Sequence, residues 1–408
     1  MNLFTRILSR FAFLRATKYY LFFQEIIYGS LVKVFSSFFS NKVDKNLIIL
    51  SAYGGKAFTD NTKYIYKYLV DKTNFKAIWL TNSHELLNKL KAKGYNAQYK
   101  FNLSTIRLLR RAKYVFTTHG VFDVLPINFS PETTFICTWH GVQNKRNSSL
   151  HGPNKYTKLA KYLNLTSYND NYMDFFITPS GTKKDIKLIE NYFQIPPTKI
   201  ITAGYPRNDI LFIEDSDFID KLKARYKIPN YIEKILLYAP TFRDYSFKAK
   251  LPFTKEELIE FNDQLRVNHS ILIMKAHMFE KIIEFQNFSN IKKAPKNTDI
   301  QELLAITDIL ITDYSSVYCD FLLVNKPILL FTYDYERFME EGRGFYYNFK
   351  KIAPGPLLYT GKELINAIKN IDQIDKEYED RRLKTRKIYN KYVDGNSTER
   401  VLKYLKII

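Results

Sequence analysis

After residue 45, short apolar runs alternate with longer amphipathic ones, and no other feature restricts the possible folds as much. Strand-length runs stand at Leu47–Ser51, Ala77–Thr81, Tyr114–Thr118, Thr134–Trp139, Phe175–Thr178 and Lys199–Ala203, with helical segments such as Thr62–Lys72 and His84–Lys93 between them. Beyond a polar stretch around Pro206–Pro229 come Lys234–Tyr238, Ile271–Lys275, Ile309–Thr312 and Ile328–Phe331. Helices are expected near Lys255–Asn268, Ile300–Ala305 and Ser316–Leu323. A parallel strand is rejoined only through a crossover, and the crossover helix covers a face of the sheet. Apolar strands in βαβα order therefore describe mostly parallel sheets with helices on both faces. The expected class is α/β, with two Rossmann-like domains facing each other across a cleft. Length agrees, because single cores stop growing at roughly 250–300 residues and this chain has 408.

The expected boundaries are an amphipathic segment over 1–44, a first domain over 45–205, a linker over 206–230, a second domain over 231–375 and a C-terminal helix over 376–408 with room to cross back. Phe4, Ile7, Leu8, Phe11 and Leu14 fall at helical spacing, with Arg6 and Arg10 elsewhere on the wheel. Aromatic residues crowd the next stretch, from Tyr19 to Tyr28. That pattern fits a helix lying in a membrane interface with basic groups toward anionic lipid. No run reaches the ~18 uninterrupted apolar residues of a spanning helix. Arg15, Lys18, Gln24 and Glu25 interrupt any signal-peptide core. The formal charge of +21 calls for an anionic partner. Nucleic acid is disfavoured, because no recognisable binding motif is present and the basic residues are spread over both halves. Cys137 and Cys319 sit in apolar runs and read as buried thiols of a reducing compartment.

The chemistry is expected at strand ends. The strand Ile309–Thr312 runs into Asp313-Tyr314-Ser315-Ser316 and then a helix-like segment. Unpaired backbone N–H groups and the helix dipole favour an anion there, outside the carboxyl end of a parallel strand. This turn is a candidate phosphate site for a phosphorylated or nucleotide-activated donor. His140 ends a strand of the first half before Gly141, and is placed to act as a base on a hydroxyl. His277 follows the strand Ile271–Lys275 in the second half, within reach of a phosphate oxygen or the leaving phosphate across the cleft; the alternative for each of the two is a surface or hydrogen-bonded histidine. His119 ends a strand before Gly120 and is a third candidate, while His84, His151 and His269 read as structural. Arg207, in Pro206-Arg207-Asn208-Asp209, has the fork to clamp a phosphate; the alternative is a turn with a capping Asn or Asp. Thr241 and Arg243 follow the first strand of the second half, and Arg343 lies between two glycines that would let backbone approach a ligand. Asp215 and Asp217 match an acidic pair by count but read as a helix cap, so no metal site is expected. There is no P-loop and no dinucleotide fingerprint.

Taken together, Thr138-Trp139-His140-Gly141, Gly204-Tyr205-Pro206-Arg207-Asn208-Asp209, Tyr238-Ala239-Pro240-Thr241-Phe242-Arg243-Asp244, Lys275-Ala276-His277, Ile311-Thr312-Asp313-Tyr314-Ser315-Ser316 and Pro354-Gly355-Pro356 resemble the motifs of the CDP-glycerol glycerophosphotransferases. These are the teichoic acid primases and polymerases of Gram-positive bacteria. The order and spacing fit over roughly residues 110–360. The resemblance implies a GT-B-like fold and a peripheral enzyme on the cytoplasmic face of the cell membrane. Glycerol phosphate would pass from CDP-glycerol to an undecaprenyl-linked or polyol-phosphate acceptor, with CMP released and no cofactor. It puts catalysis on His140 and His277 and donor binding on the turn of Asp313, Ser315 and Ser316, with Gly141 and Lys145 on the acceptor side; Arg207, Thr241, Arg243 and Arg343 join the donor and phosphate candidates on their own chemistry. The implied step is an in-line displacement at the β-phosphorus. The family pattern H-G-T-P-L-K departs here to His140-Gly141-Val142-Gln143-Asn144-Lys145, which bears on the acceptor. A CDP-ribitol donor, a role in capsule synthesis, a nucleotide-sugar glycosyltransferase of the same fold and a non-catalytic membrane scaffold are the competing readings.

Overall fold

The computed structural model describes residues 29–142, 144–145, 172–241, 253–275, 288–295, 298–341 and 344–408. The amphipathic pattern before residue 29, His151, and the candidates Arg243, His277 and Arg343 lie outside the described residues.

The first half holds β1 (Asp44–Leu50), β2 (Lys76–Thr81), β3 (Ala97–Tyr99), β4 (Ala112–Thr117), β5 (Thr134–Cys137), β6 (Phe175–Thr178) and β7 (Ile200–Thr202). All pair in parallel, in the order β3-β2-β1-β4-β5-β6-β7. The second half holds β8 (Lys234–Tyr238), β9 (Ser270–Met274), β10 (Ile291–Lys293), β11 (Ile309–Thr312), β12 (Ile328–Phe331) and β13 (Leu357–Leu358). These are also parallel, in the order β10-β9-β8-β11-β12-β13. Each sheet winds outward in two directions, so each has a switch point: between β1 and β4, and between β8 and β11. Ligands of open α/β sheets bind in the crevice outside the strand ends at such points.

Both faces of each sheet are covered. Leu47 and Ile49 of β1 pack into one apolar cluster, and Ile48 and Leu50 into another on the opposite face. β8 divides likewise, Ile235 and Leu237 against Leu236 and Tyr238. The period-2 pleat sends alternate side chains to opposite faces, so a strand covered on both sides must be apolar throughout. Three strands, β3, β10 and β13, were not expected; all are short and lie at sheet edges. Near β13, Gly355 packs so tightly that a Cβ there would lie 1.7 Å from the Ile328 carbonyl oxygen.

Two stretches differ from expectation. Residues 376–408 do not form one helix: Ile371–Tyr389 and Ser397–Tyr404 are separated by a turn. Gly395 makes that turn at φ +67°, with Phe212 where a Cβ would stand. The second of these helices crosses back, and Val401, Leu402, Leu405 and Ile407 complete a core of the first half with Ile48 and Trp79. Full burial of one such side chain contributes about 1.5–3 kcal/mol. Residues 206–230 are not a loose linker either. Pro206–Phe212 is a 3₁₀ turn with Pro206, Arg207, Asn208 and Ile210 buried, and Leu222 and Ile228 join the second core.

Candidate active site

The site grows from the two switch points. On the first half, His119 follows β4 and His140 follows β5 on the neighbouring strand. Thr117 pairs with Cys137, so both chains leave the sheet at the same level. Trp139 has φ +52°, which turns the backbone after Thr138. The His140 ring then stacks on His119, centroids 4.2 Å apart and planes 6° from parallel. Trp139 lies against the His140 ring at 4.2 Å.

The His140 turn is gripped through its carbonyls. Asn61 Nδ2 donates to the oxygens of Thr138 (3.2 Å) and Trp139 (3.0 Å). Arg207 donates to the His140 oxygen (2.8 Å), and the Tyr205 hydroxyl to that of Gly141 (2.8 Å). Asn61 Oδ1 also accepts from the Arg207 backbone N–H (3.2 Å). A turn whose carbonyls are all engaged is held in one geometry, as catalytic positioning requires.

On the second half, Asp313 is buried and organises the turn after β11. Its carboxylate accepts from the backbone N–H groups of Thr241 (2.8 and 3.0 Å) and Ser315 (3.2 Å). Thr312 Oγ1 donates to the Ala239 oxygen (2.7 Å), fixing β11 to the end of β8. The Tyr314 hydroxyl donates to Asp334 (3.0 Å) and its ring stacks on Phe338 at 3.8 Å. Ser315 and Ser316 stay half-buried, at the mouth of the turn.

The two halves meet at these turns. A Cβ on Gly141 would lie 2.9 Å from Ser316 Oγ. Lys145 Nζ donates to Thr241 Oγ1 (3.3 Å), and Lys145 forms an antiparallel bridge with Phe345. His140, Gly141 and Lys145 of the first half are thus brought to Thr241, Asp313, Ser315 and Ser316 of the second.

Two expected roles are corrected. Arg207 is not available as a phosphate clamp. It is buried, and its guanidinium donates to Asp320 Oδ2 from Nε (3.1 Å) and Nη2 (2.8 Å) and to Asp60 Oδ1 from Nη1 (2.8 Å). Burial alone would weaken its charge; Asp320 and Asp60 outweigh that and hold its pKa well above the ordinary value. Arg207 is a strut joining the first half, the second half and the His140 turn. Asp313 is likewise an organiser of backbone, not an anion ligand, since an ionised carboxylate only accepts. The capping alternative holds for Asp209, whose carboxylate accepts from the N–H groups of Ser397 and Thr398 (2.8 Å each).

A second joint lies nearby. Lys63 pairs with Asp299 (2.6 Å) and Glu302 (3.1 Å) across the halves. Arg225 and the Tyr226 hydroxyl also reach Glu302 (2.7 and 2.8 Å). Burial pushes the Glu302 carboxyl up, but Lys63, Tyr226 and Arg225 prevail and bring it down to about 2. Sequence reasoning missed Asp60, Asn61 and Gln301 altogether, because nothing local marks them. Asp320 had one usable signal: four residues after Ser316, it falls on the same helix face. Gln301 and Asn208 also donate to it (2.9 and 3.0 Å). Among the described residues, no cluster of His, Cys, Asp or Glu has the makings of a metal site.

Two parallel Rossmann-like sheets with opposed switch points, a histidine on one and a hydroxyl-bearing turn on the other, define a GT-B-like transferase architecture. The chain belongs to the CDP-Glycerol:Poly(glycerophosphate) glycerophosphotransferase family, whose model matches residues 33–406. It is 30% identical over 377 residues to a teichoic acid glycerol-phosphate transferase of Staphylococcus aureus, covering 88% of this chain and 92% of the relative. It is 35% identical over 342 residues to a teichoic acid poly(glycerol phosphate) polymerase of Bacillus spizizenii, covering 80% and 83%. Its fold matches the wall teichoic acid polymerase TagF with a TM-score of 0.78 at 22% identity, over 99% of this chain and 97% of that one.

Proposed function

We propose that this protein transfers glycerol phosphate from CDP-glycerol to a hydroxyl of a lipid-linked or polyol-phosphate acceptor in teichoic acid synthesis, releasing CMP. The observation that carries the reading is the apposition of the His140–Gly141 turn, beyond the end of β5, to the Ser315–Ser316 turn, beyond the end of β11 at its sheet's switch point. Family membership and a TagF variant soaked with CDPG support the donor.

In this reading His140 takes the proton of the acceptor hydroxyl. The freed oxygen attacks the β-phosphorus in line, and the bond to the CMP phosphate breaks with its electron pair leaving on CMP. The Ser315 and Ser316 hydroxyls hold the pyrophosphate, and His277 and Arg243 balance charge on the phosphoryl oxygens. Such transfers depend on positioning and electrostatics rather than covalent catalysis. Gly141 and Lys145 border the acceptor.

The protein would work on the cytoplasmic membrane face. Supporting this, the helix Gly29–Ser36 buries Val32 in the first core while Leu31, Val34 and Phe38 remain 62%, 63% and 81% exposed. This helix packs on Leu103–Arg111, whose Arg107 lies over the Phe39 ring, and exposed apolar groups with a cation nearby suit an anionic lipid surface.

The test is CMP release from CDP-glycerol with and without a glycerophosphate-primed lipid acceptor. Acceptor-dependent release that is lost in His140→Ala is the expected result. Turnover of CDP-ribitol or a UDP-sugar instead, with CDP-glycerol inert, would overturn the donor.

A further inference from the structure

We propose that His119 is a positioning residue for His140, holding the plane of its ring through an anchored aromatic stack. The inference rests on His140 being the base.

The anchor begins at Asp123, which is fully buried in the turn after β4. Its carboxylate accepts from the backbone N–H groups of Gly54 (2.6 Å), Thr118 (2.6 Å) and His119 (2.8 Å), and from the Thr118 hydroxyl (2.8 Å). A threonine hydroxyl has one hydrogen, and here it points to Asp123. The contact of 2.8 Å between Thr118 Oγ1 and His119 Nδ1 therefore has the histidine as donor. The His119 ring carries its proton on Nδ1, and the lone pair of the neutral ring is on Nε2.

The ring is thereby fixed at one edge by a hydrogen bond and flanked by the tilted ring of Tyr53, at 4.7 Å. Tyr53 is itself tied down: its N–H donates to Thr118 Oγ1 (3.2 Å) and its hydroxyl to Asp60 (3.0 Å). His140 lies parallel to this immobilised ring and is flanked by the tilted ring of Trp139. Its carbonyl is held by Arg207, but a backbone contact does not set side-chain rotation. The stack on His119 restrains that rotation across one ring face. Aiming the ring nitrogen at the acceptor hydroxyl matters because small misplacements of a reacting group cost about a hundredfold in rate.

The experiment compares His119→Leu with His119→Phe in the full chain, using CMP release with CDP-glycerol and the lipid acceptor. Leucine keeps apolar volume without a ring, and phenylalanine keeps the ring face. His119→Leu is expected to lower kcat about tenfold or more with little change in the KM for CDP-glycerol, as loss of orientation does. His119→Phe is expected to recover most of that kcat at the same melting temperature. Because His119 acts through His140, adding His119→Leu to His140→Ala should cause no further loss. If His140→Ala is inactive and His119→Leu is fully active, this inference fails and the base assignment stands. A further loss in the double variant also overturns it. If His140→Ala retains full activity, the base assignment fails first and takes the inference with it.

Discussion

Arg207→Met is the sharpest probe of how the halves are joined. Methionine fills similar space but removes the cation from between Asp60 and Asp320, both about 4% exposed at the side chain. Removing one partner of a buried pair costs about 3–5 kcal/mol, because the remaining charge is stranded. Here some charge is absorbed by other donors. Asp320 keeps Asn208 and Gln301, and Asp60 keeps Tyr53 and the Asn61 N–H. The His140 carbonyl loses its Arg207 donor, for about 1–3 kcal/mol if left unsatisfied. A net loss of about 4 kcal/mol follows. If both halves melt together, roughly 2.1 cal/mol/K per residue over the 408-residue chain gives about 0.9 kcal/mol/K. The expected fall in melting temperature is then about 5 °C, read by calorimetry. Adding Asp60→Asn and Asp320→Asn should restore most of it, since the stranded charges are gone. An unchanged melting temperature in Arg207→Met would refute the argument, as would a triple variant less stable than the single one.

Two further outcomes are expected. Glu302, brought down to about 2 against its ordinary 4.5, stabilises the fold fully above about pH 4.5 and loses that contribution as the pH falls toward 2. Acid unfolding followed by tryptophan fluorescence should therefore be shallower over that window in Glu302→Gln, which starts less stable at neutral pH; an unaltered curve would discount the Lys63–Glu302 joint. Gly141→Ala should cut CMP release at least about tenfold without lowering the melting temperature, because its Cβ would stand 2.9 Å from Ser316 Oγ and turn that hydroxyl out of its position. Wild-type kcat in that variant would mean that the close approach is not needed for transfer.

Hydrophobic pattern and chain order were enough to predict the class of fold and to single out the strand ends that the structure brings together. Runs such as Phe175–Thr178, Lys234–Tyr238 and Ile309–Thr312 coincide with strands, because burial on both faces forces continuous apolar residues. His140 and Ser315 were visible as polar groups at strand ends, where chain order alone places them outside a parallel sheet. The edge strands β3, β10 and β13 were not visible, since two or three residues cannot display a period. The role of Arg207 could not be read from its neighbours in the chain. A guanidinium fork between the two halves reads as a phosphate ligand until Asp60 and Asp320, 147 and 113 positions away, are found on its nitrogens. Asp313 changed role for the same reason, its carboxylate turned back onto the Thr241 and Ser315 backbone. Local periodicity records which side of an element is buried. Which distant charge a buried side chain meets is set by packing two sheets against each other, and that information lies in no short window of the chain.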